Sequence, residues 1–221
     1  MLPRFYPILD VETASRRGLA VRDTARQILN HPVRILQFRH KGAFSPGILD
    51  DLREIAGMCR DSGATLVIND RADVARLIHA ALHLGQQDLS PSEARRVTGA
   101  DTFIGYSTHN QEQLRAAAAE PADYLALGPI FGTSSKPNHD PVVGLAELRK
   151  LRSLTDRPLV AIGGITRANA RSVLEAGADS VAVIADLFPE HGQVGDRVCE
   201  WLDLLDSGQW PVVSGQCEPP V

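Results

Sequence analysis

Short apolar stretches alternate with helical stretches along almost the whole chain, and this alternation is the feature that most restricts the fold. Eight stretches rich in β-branched or aromatic residues predict strands, and each is followed by turn residues and then by residues with helical spacing. The predicted strands cover residues 5–9, 33–38, 65–68, 81–84, 102–106, 123–127, 158–162 and 180–184. Such a succession is typical of parallel βα units in an α/β protein.

The clearest helical stretches lie between these predicted strands. They cover residues 46–63, 110–120, 144–155, 166–177 and 196–208. Gly63, Gly177 and Gly208 end three of them, where glycine readily adopts the left-handed conformation that closes a helix. Eight βα units within residues 1–208 predict a single (β/α)8 TIM barrel, with a doubly wound open sheet as the alternative. Residues 209–221 are rich in proline and are predicted to form a loose tail.

Charge and cysteine content exclude some classes of protein. The chain has 221 residues and a net charge of −4, which is not the charge of a general nucleic-acid binder. Cys59, Cys199 and Cys217 are too far apart for a zinc motif and are expected to be reduced thiols. Prolines and acids interrupt the N-terminus, and no apolar run is long enough to span a bilayer. A cytoplasmic protein without nucleic-acid or membrane partners is therefore the expectation.

The stretch "QFRHK" (37–41) ends the second predicted strand. Because side chains alternate between the two faces of a strand, Gln37, Arg39 and Lys41 are expected to share the inner face. Three polar side chains at a barrel mouth suit an anionic ligand. A solvated strand end with an ion pair explains the same pattern, so the residues alone leave both interpretations open.

Carboxylates follow the third and fourth predicted strands. Asn69 and Asp70 come directly after residues 65–68, and Asp88 follows residues 81–84. Two carboxylates with an amide between them resemble a sparse oxygen site for Mg²⁺, which keeps several waters and shares its ligands with substrate phosphates. The alternatives are a helix N-cap for Asp70 and a turn residue for Asp88.

Hydroxyl, histidine and glycine residues follow the later predicted strands. Ser107 and His109 follow the fifth strand, and either could cap the next helix. The glycine pair in "AIGGI" (161–165), with Thr166 as the predicted N-cap, could let backbone N–H groups approach a phosphate. In "LGPIFGTSSK" (127–136), hydroxyl side chains precede one of only three lysines in the chain. Each of these loops is a candidate part of a site at the barrel mouth.

Taken together in this order, the stretches resemble the thiamine phosphate synthase family. The similarity covers residues 5–187 and rests on "QFRHK", "INDR", "HLGQQDL", "IGYSTH", "DYLALGPIFGTSSK", "AIGGI" and "AGADSVAVI". The family has a (β/α)8 barrel and joins 4-amino-5-hydroxymethyl-2-methylpyrimidine diphosphate to 4-methyl-5-(2-phosphoethyl)thiazole, giving thiamine phosphate and pyrophosphate. The resemblance implies the same fold and a Mg²⁺-dependent transferase with small-molecule substrates, and it leaves a homo-oligomer open.

The resemblance also implies roles for individual residues. The residues expected to hold the diphosphate of the pyrimidine are Gln37, Arg39, Lys41 and Asn69. The expected Mg²⁺ ligands are Asp70 and Asp88. The residues expected around the pyrimidine and the phosphates are Ser107, Thr133, Ser135 and Lys136. The residues expected at the thiazole phosphate are Gly164, Ile184 and Ala185. Arg39, Lys41 and Lys136 are the expected catalytic residues, because they would neutralise charge on the departing pyrophosphate.

The chain departs from the family pattern at three of its positions. His40, Ser135 and Ala185 stand where the family commonly has an acid, a second threonine and a serine. Serine keeps the hydroxyl group of threonine, and the backbone N–H at position 185 does not depend on its side chain. Two other functions stay open. A thiazole tautomerase relative would use a histidine such as His109 as a proton shuttle, and a non-catalytic binder of thiamine precursors would explain phosphate contacts but not the magnesium pair.

Overall fold

The strands close into one barrel. The computed structural model describes residues 2–133, 140–191 and 193–206; the predicted tail at 209–221 and Gly208 lie outside them. In the described part, eight parallel strands pair in sequence order, and the last pairs with the first. They are β1 (Phe5–Asp10), β2 (Ile35–Arg39), β3 (Thr65–Asn69), β4 (Ala81–Leu84), β5 (Ile104–Thr108), β6 (Tyr124–Leu127), β7 (Leu159–Ile162) and β8 (Ser180–Val183). The prediction of a (β/α)8 barrel is confirmed, and the open sheet is excluded.

Four strands, β1, β2, β3 and β5, end later than the sequence pattern predicts, and the first three do so by a single residue. β2 extends to Arg39, because its neighbour β1 pairs with it as far as the Asp10–Arg39 register. β5 begins and ends two residues late, because its pairing with β6 runs from Gly105 to Thr108. Arg39 and Ser107 therefore lie inside strands, where the sheet restricts their orientation.

Helices connect the strands around the barrel. In the described residues they are α1 (Val11–Arg16), α2 (Val21–Leu29), α3 (Pro46–Ser62), α4 (Ala72–Ile78), α5 (Pro91–Thr98), α6 (Gln111–Ala117), α7 (Gly144–Arg152), α8 (Ala170–Glu175) and α9 (Val194–Asp206), with a 3-10 turn at Ala185–Leu187. The ends of α3 follow from its sequence: the Ser45 side chain accepts the Ile48 N–H, Pro46 opens the first turn, and Gly63 at φ 72° closes the last. None of these helices is long and apolar enough to cross a membrane.

The N-terminal caps predicted for two helices, α6 and α8, are wrong. Asn110 caps α6, because Ser107 and His109 have partners at the barrel mouth instead. Asn169 precedes α8 in the place predicted for Thr166, since residues 166–169 form a separate turn in which Asn169 Oδ1 accepts the Thr166 N–H at 2.8 Å. Both errors concern the loops that follow β5 and β7.

The core has two layers, one on each side of the sheet. Outward side chains such as Leu36 and Phe38 are fully buried against the helices, as the alternation in "QFRHK" predicts. Inward side chains, including Tyr6, Ile35 and Tyr124, fill the interior of the barrel. The packed interior leaves the mouth at the carboxyl ends of the strands as the place for a site.

Candidate active site

The described candidate residues lie at or beyond the carboxyl ends of the strands. They are Gln37 and Arg39 in β2, Lys41 after β2, Asn69 at the end of β3, Asp70 after β3, Asp88 after β4, Ser107 in β5, Thr133 after β6, Gly164 after β7, and Ile184 and Ala185 after β8. In a closed parallel barrel these ends surround one mouth. Ser135 and Lys136 lie outside the described residues.

Each polar residue of "QFRHK" has a partner inside the protein. Arg39 forms an ion pair with Asp10, and Lys41 Nζ contacts Asp70 Oδ2 at 2.5 Å. Gln37 donates a hydrogen bond to a tyrosine inside the barrel. The ion pairs that the sequence allowed as an alternative are therefore present. The ion pairs and the hydrogen bond of Gln37 use only some of the N–H donors of these three side chains. A guanidinium carries five N–H groups, an ammonium three and an amide two.

Asp10 fixes the orientation of Arg39, and sequence reasoning missed it. Asp10 is 3% exposed at the end of β1. Its Oδ1 accepts hydrogen bonds from Thr13 N at 2.8 Å and Thr13 Oγ1 at 2.6 Å, while Oδ2 faces Arg39. A carboxylate held on both oxygens gives the guanidinium a fixed partner. The signal in the sequence was an acid at the end of the first apolar run.

His40 and Glu12 hold the chain segment that carries Lys41. Glu12 Oε1 accepts the Lys41 N–H at 2.8 Å and lies 2.7 Å from His40 Nδ1. His40 Nε2 lies 3.1 Å from the Ala43 carbonyl oxygen. His40 thus connects Glu12 to the turn after β2.

Asp70 lies in a backbone conformation that non-glycine residues seldom adopt. Its φ is 65°, and its N–H donates to the His83 carbonyl oxygen at 2.8 Å. Arg71, not Asp70, precedes α4, so the interpretation of Asp70 as a helix cap is wrong. Residues in such sparsely populated conformations cluster at functional sites. The bend brings the Asp70 carboxylate to Lys41.

Asp88 both closes a turn and lies beside Asp70. Its Oδ2 accepts the Gly85 N–H at 2.7 Å, so the turn role foreseen for it is confirmed. Burial and the neighbouring Asp70 carboxylate raise the pKa of Asp88, and Lys41 opposes that rise. Two neighbouring carboxylates such as Asp70 and Asp88 repel each other when both are ionised, unless a cation lies between them.

The Asp70–Asp88 pair fits Mg²⁺ better than a metal held by protein ligands alone. No group of three or more His, Cys, Asp or Glu side chains suited to a metal ion occurs among the described residues. Mg²⁺ is commonly bound by one or two carboxylates together with waters and substrate phosphates. Asn69 Nδ2 is buried and has no acceptor among the described residues, so a phosphate oxygen at this position would satisfy it.

A chain of hydrogen bonds crosses the barrel below the mouth. Gln37 Nε2 donates to Tyr6 Oη at 3.1 Å, and Tyr6 Oη lies 2.8 Å from Tyr124 Oη. His83 joins the chain through Nδ1, 2.9 Å from Tyr124 Oη, and through Nε2, 2.8 Å from Ser107 Oγ. The amide of Gln37 and the hydroxyl of Ser107 are therefore held from the barrel side.

Sequence reasoning did not predict the three middle members of this hydrogen-bond chain, Tyr6, Tyr124 and His83, as site residues. Burial raises the pKa of Tyr6 to about 12 and that of Tyr124 well above its usual value, so both phenols stay neutral. The alternation in "FYPIL" and "ALHL" places Tyr6 and His83 on the inner face and could have indicated them. Which partners they meet across the barrel depends on its closure, which the pattern does not give.

A cavity of about 100 Å³ opens on the side of the mouth formed by β6–β8. Its lining includes Ser107, His109, Thr133, Gly163, Gly164, Ile184, Ala185 and Asp186. His109 Nδ1 donates to the Gly128 carbonyl oxygen at 2.6 Å and lies 3.5 Å from Asp140 Oδ2. A larger cavity of about 400 Å³ lies at the opposite end of the barrel, lined by residues that precede β4 and β5.

The glycines of "AIGGI" allow two loops to pack closely. A Cβ at Gly164 would lie 2.5 Å from the Gly132 carbonyl oxygen, and one at Gly163 would lie 2.6 Å from Pro129 Cα. Both glycines also have positive φ angles of 98° and 64° in chain order. Loop packing thus requires these glycines, in addition to any approach of a phosphate to the cavity that they line.

The chain is similar over most of its length to one known protein family. A profile of the family described as thiamine monophosphate synthase matches residues 5–187. The chain belongs to the thiamine monophosphate synthase family. The match spans all eight strands and every described candidate residue.

Curated relatives and solved structures support membership of the thiamine monophosphate synthase family. The thiamine-phosphate synthase of Koribacter versatilis is 49% identical over 210 residues, which cover 93% of this chain and 97% of the relative. That of Chloroflexus aurantiacus is 37% identical over 183 residues, covering 82% of this chain and 83% of the relative. The structure of thiamine phosphate pyrophosphorylase from Pyrococcus furiosus matches with a TM-score of 0.81 and 29% identity, covering 92% and 96% of the two chains.

Proposed function

We propose that this chain is a thiamine phosphate synthase that joins 4-amino-5-hydroxymethyl-2-methylpyrimidine diphosphate to 4-methyl-5-(2-phosphoethyl)thiazole and releases pyrophosphate. Family membership supports the reaction class. The observation that best supports placing this reaction at the barrel mouth is that the mouth has two chemically different sides. Arg39, Lys41 and the Asp70–Asp88 pair gather at the ends of β2–β4, whereas a glycine-lined cavity occupies the ends of β6–β8.

The charged side suits the diphosphate of the pyrimidine substrate. Arg39 and Lys41 would donate their remaining N–H groups to phosphate oxygens, and Asn69 would donate from Nδ2, which has no acceptor in the described part of the chain. Gln37 would add the second hydrogen of its amide, since Tyr6 accepts only one. These donors come from neighbouring strands, so they are held in place before the substrate binds.

Asp70 and Asp88 would hold Mg²⁺ at this side of the mouth. When bound, Mg²⁺ would neutralise negative charge on the diphosphate and so make pyrophosphate a better leaving group. Lys41 already balances Asp70 from the loop after the neighbouring strand β2 and would approach the same phosphate oxygens. Lys136, which follows β6 in the sequence and lies outside the described residues, would neutralise charge on the departing group.

The chemistry requires no protein nucleophile. The amino group of the pyrimidine releases electrons towards the carbon that carries the diphosphate, so departure of pyrophosphate leaves a stabilised cation. The thiazole nitrogen then captures this cation, provided that both rings are held within attack distance. Ser107, Thr133 and Ser135 would contact the pyrimidine and the phosphates, and Gly164, Ile184 and Ala185 would hold the thiazole phosphate.

The thiol state of a buried cysteine bears on the cellular compartment of the proposed enzyme. Cys59 is a buried free thiol in the structure. Free thiols suit a reducing compartment, so a cytoplasmic location is part of the proposal.

Incubation of the purified chain with both substrates tests the proposed function. We expect equal amounts of thiamine phosphate and pyrophosphate, formed only when both substrates and Mg²⁺ are present and abolished by EDTA. Consumption of neither substrate, with binding of both still detectable by calorimetry, would favour a non-catalytic binder. Conversion of a thiazole carboxylate phosphate tautomer without any condensation would favour the tautomerase.

A further inference from the structure

We propose that Asp186, Arg167, Arg197 and Glu200 form an ionic clamp that positions the loops after β7 and β8 and thereby sets the affinity for the thiazole phosphate. This inference rests on the proposed function. The clamp residues are positioning residues, because their side chains tie the loops to helix α9 and act on the ligand through the backbone. The sequence pattern singled out none of the four.

Asp186 is the centre of the clamp. It lies in the turn after β8, and its side chain is 16% exposed. Its Oδ2 accepts from Arg167 Nε at 3.1 Å, and its Oδ1 lies 3.4 Å from Arg197 Nη1. Arg197 Nη1 also donates to the backbone carbonyl oxygen of Asp186 at 2.8 Å. Both the side chain and the backbone of Asp186 are therefore held.

Glu200 closes the clamp into a ring of four charges. Its carboxylate contacts Arg167 Nη1 and accepts from Arg197 Nε at 3.0 Å. Arg167 belongs to the loop after β7, whereas Arg197 and Glu200 belong to α9. Two loops of the mouth are thus joined to one helix by two guanidinium groups that each contact both carboxylates.

The same two loops form the wall of the cavity assigned to the thiazole phosphate. Gly163, Gly164 and Thr166 contribute from the β7 loop, and Ile184 and Ala185 contribute from the β8 loop. Asp186 itself lines the cavity and is the one residue that belongs to both the clamp and the cavity wall. A shift of the Asp186 backbone would therefore change the cavity directly.

The charges of the clamp allow a positioning role to be distinguished from a purely electrostatic one. An unpaired carboxylate at the cavity wall would repel a phosphate, but two arginines neutralise Asp186. If the clamp acted only through charge, loss of the Asp186 carboxylate would leave two guanidinium groups with Glu200 as their one acidic partner in the clamp, and the excess positive charge would strengthen phosphate binding. If it acts by positioning, the same change loosens both loops and weakens binding. The two roles predict opposite signs.

Steady-state kinetics of Asp186→Ala test this difference. We expect the KM for the thiazole phosphate to rise about tenfold, as for a small misplacement of binding groups, with the KM for the pyrimidine diphosphate unchanged. Asp186→Asn keeps an acceptor for one arginine and should recover part of the loss. A fall in the KM for the thiazole phosphate in Asp186→Ala, or no change, would overturn the proposal.

Arg152→Met is the matched control. Arg152 pairs with Asp179 just before β8, at the opposite end of the barrel from the cavity. This variant should lose thermal stability without a change in either KM. An equal rise in the KM for the thiazole phosphate in Arg152→Met would show that general destabilisation, and not the clamp, causes the effect.

Calorimetric titration with inorganic phosphate and with the thiazole phosphate separates this inference from the proposed function. If the wild-type chain binds the thiazole phosphate but makes no thiamine phosphate, the proposed function fails and the clamp is still tested by the affinity of Asp186→Ala. Weaker binding in that variant supports the clamp. Equal or tighter binding, or no binding by the wild type, contradicts it.

Discussion

Gly105 and Tyr124 lie opposite each other on β5 and β6, and the tyrosine ring fills the space that any side chain at position 105 would need. A Cβ at Gly105 would lie 2.0 Å from Cζ and 2.3 Å from Oη of Tyr124. Tyr124 is fully buried and contacts His83 and Tyr6 through its hydroxyl group. The glycine near the start of β5 thus leaves room for the tyrosine ring in the barrel interior.

Gly105→Ala should therefore destabilise the barrel by about 2–3 kcal/mol, because the methyl group displaces a ring with no free space around it. Urea unfolding measures this loss. Gly57→Ala is a matched control within α3, where the nearest atom to a new Cβ is 3.8 Å away, and it should leave stability equal or raise it. The double variant Gly105→Ala/Tyr124→Leu should recover part of the loss, and no recovery would contradict this account.

Asp10→Ala should destabilise the protein strongly, because it leaves the buried Arg39 guanidinium without its partner. Breaking a buried ion pair from one side typically costs about 3–5 kcal/mol. The double variant Asp10→Ala/Arg39→Met should be more stable than Asp10→Ala alone, since no unpaired charge remains. Additive losses in chemical unfolding of the single and double variants would show that the pair is not coupled.

Asp70→Asn should weaken the binding of Mg²⁺ that supports turnover, because the amide lacks the charge that this ion requires. We expect saturation at a much higher Mg²⁺ concentration, with little change in thermal unfolding. Asp73→Asn is the control: Asp73 is also an acid near the start of α4, but it pairs with Arg71 on the surface. The same Mg²⁺ titration curve for Asp70→Asn and the wild type would exclude Asp70 as a ligand.

Asp88→Asn should lower activity yet raise stability at neutral pH when Mg²⁺ is absent. Burial and Asp70 raise the pKa of Asp88 above its ordinary value of 3.8, so the ionised carboxylate opposes folding. This penalty is complete above the raised folded pKa and disappears as the pH falls through it towards 3.8. The gain in stability should therefore be present at pH 7 and vanish in acid. A gain independent of pH would contradict the assignment.

The barrel could be predicted from the sequence because strand-like stretches and stretches with helical spacing alternate without interruption. Alternation within the strands places Leu36 outward and Gln37 inward whatever the strand pairs with, so the faces could be assigned locally. The predicted helix caps were wrong because they depend on contacts between strands, which a local pattern does not show. Ser107 can cap a helix, but contact with His83 across two strands decides where its hydroxyl points.

The partners of the charged residues could not be predicted from local pattern. Arg39 meets Asp10 only because β1 and β2 pair in that register, and Asp186 meets Arg197 only because α9 packs beside the loop after β8. Such contacts join residues that are distant in sequence, and spacing carries no information about them. Asp70 shows the same limit, since its left-handed backbone is visible only in the structure.

Single-turnover formation of thiamine phosphate tests the central claim most directly, namely that this mouth assists the departure of pyrophosphate. With saturating substrates, Lys136→Ala should slow product formation by about 100-fold, as expected when one preorganised charge is removed. Lys150→Ala is the matched control, because Lys150 lies exposed on α7 beside Glu147, and it should react at the wild-type rate. A near-normal single-turnover rate in Lys136→Ala would contradict the account.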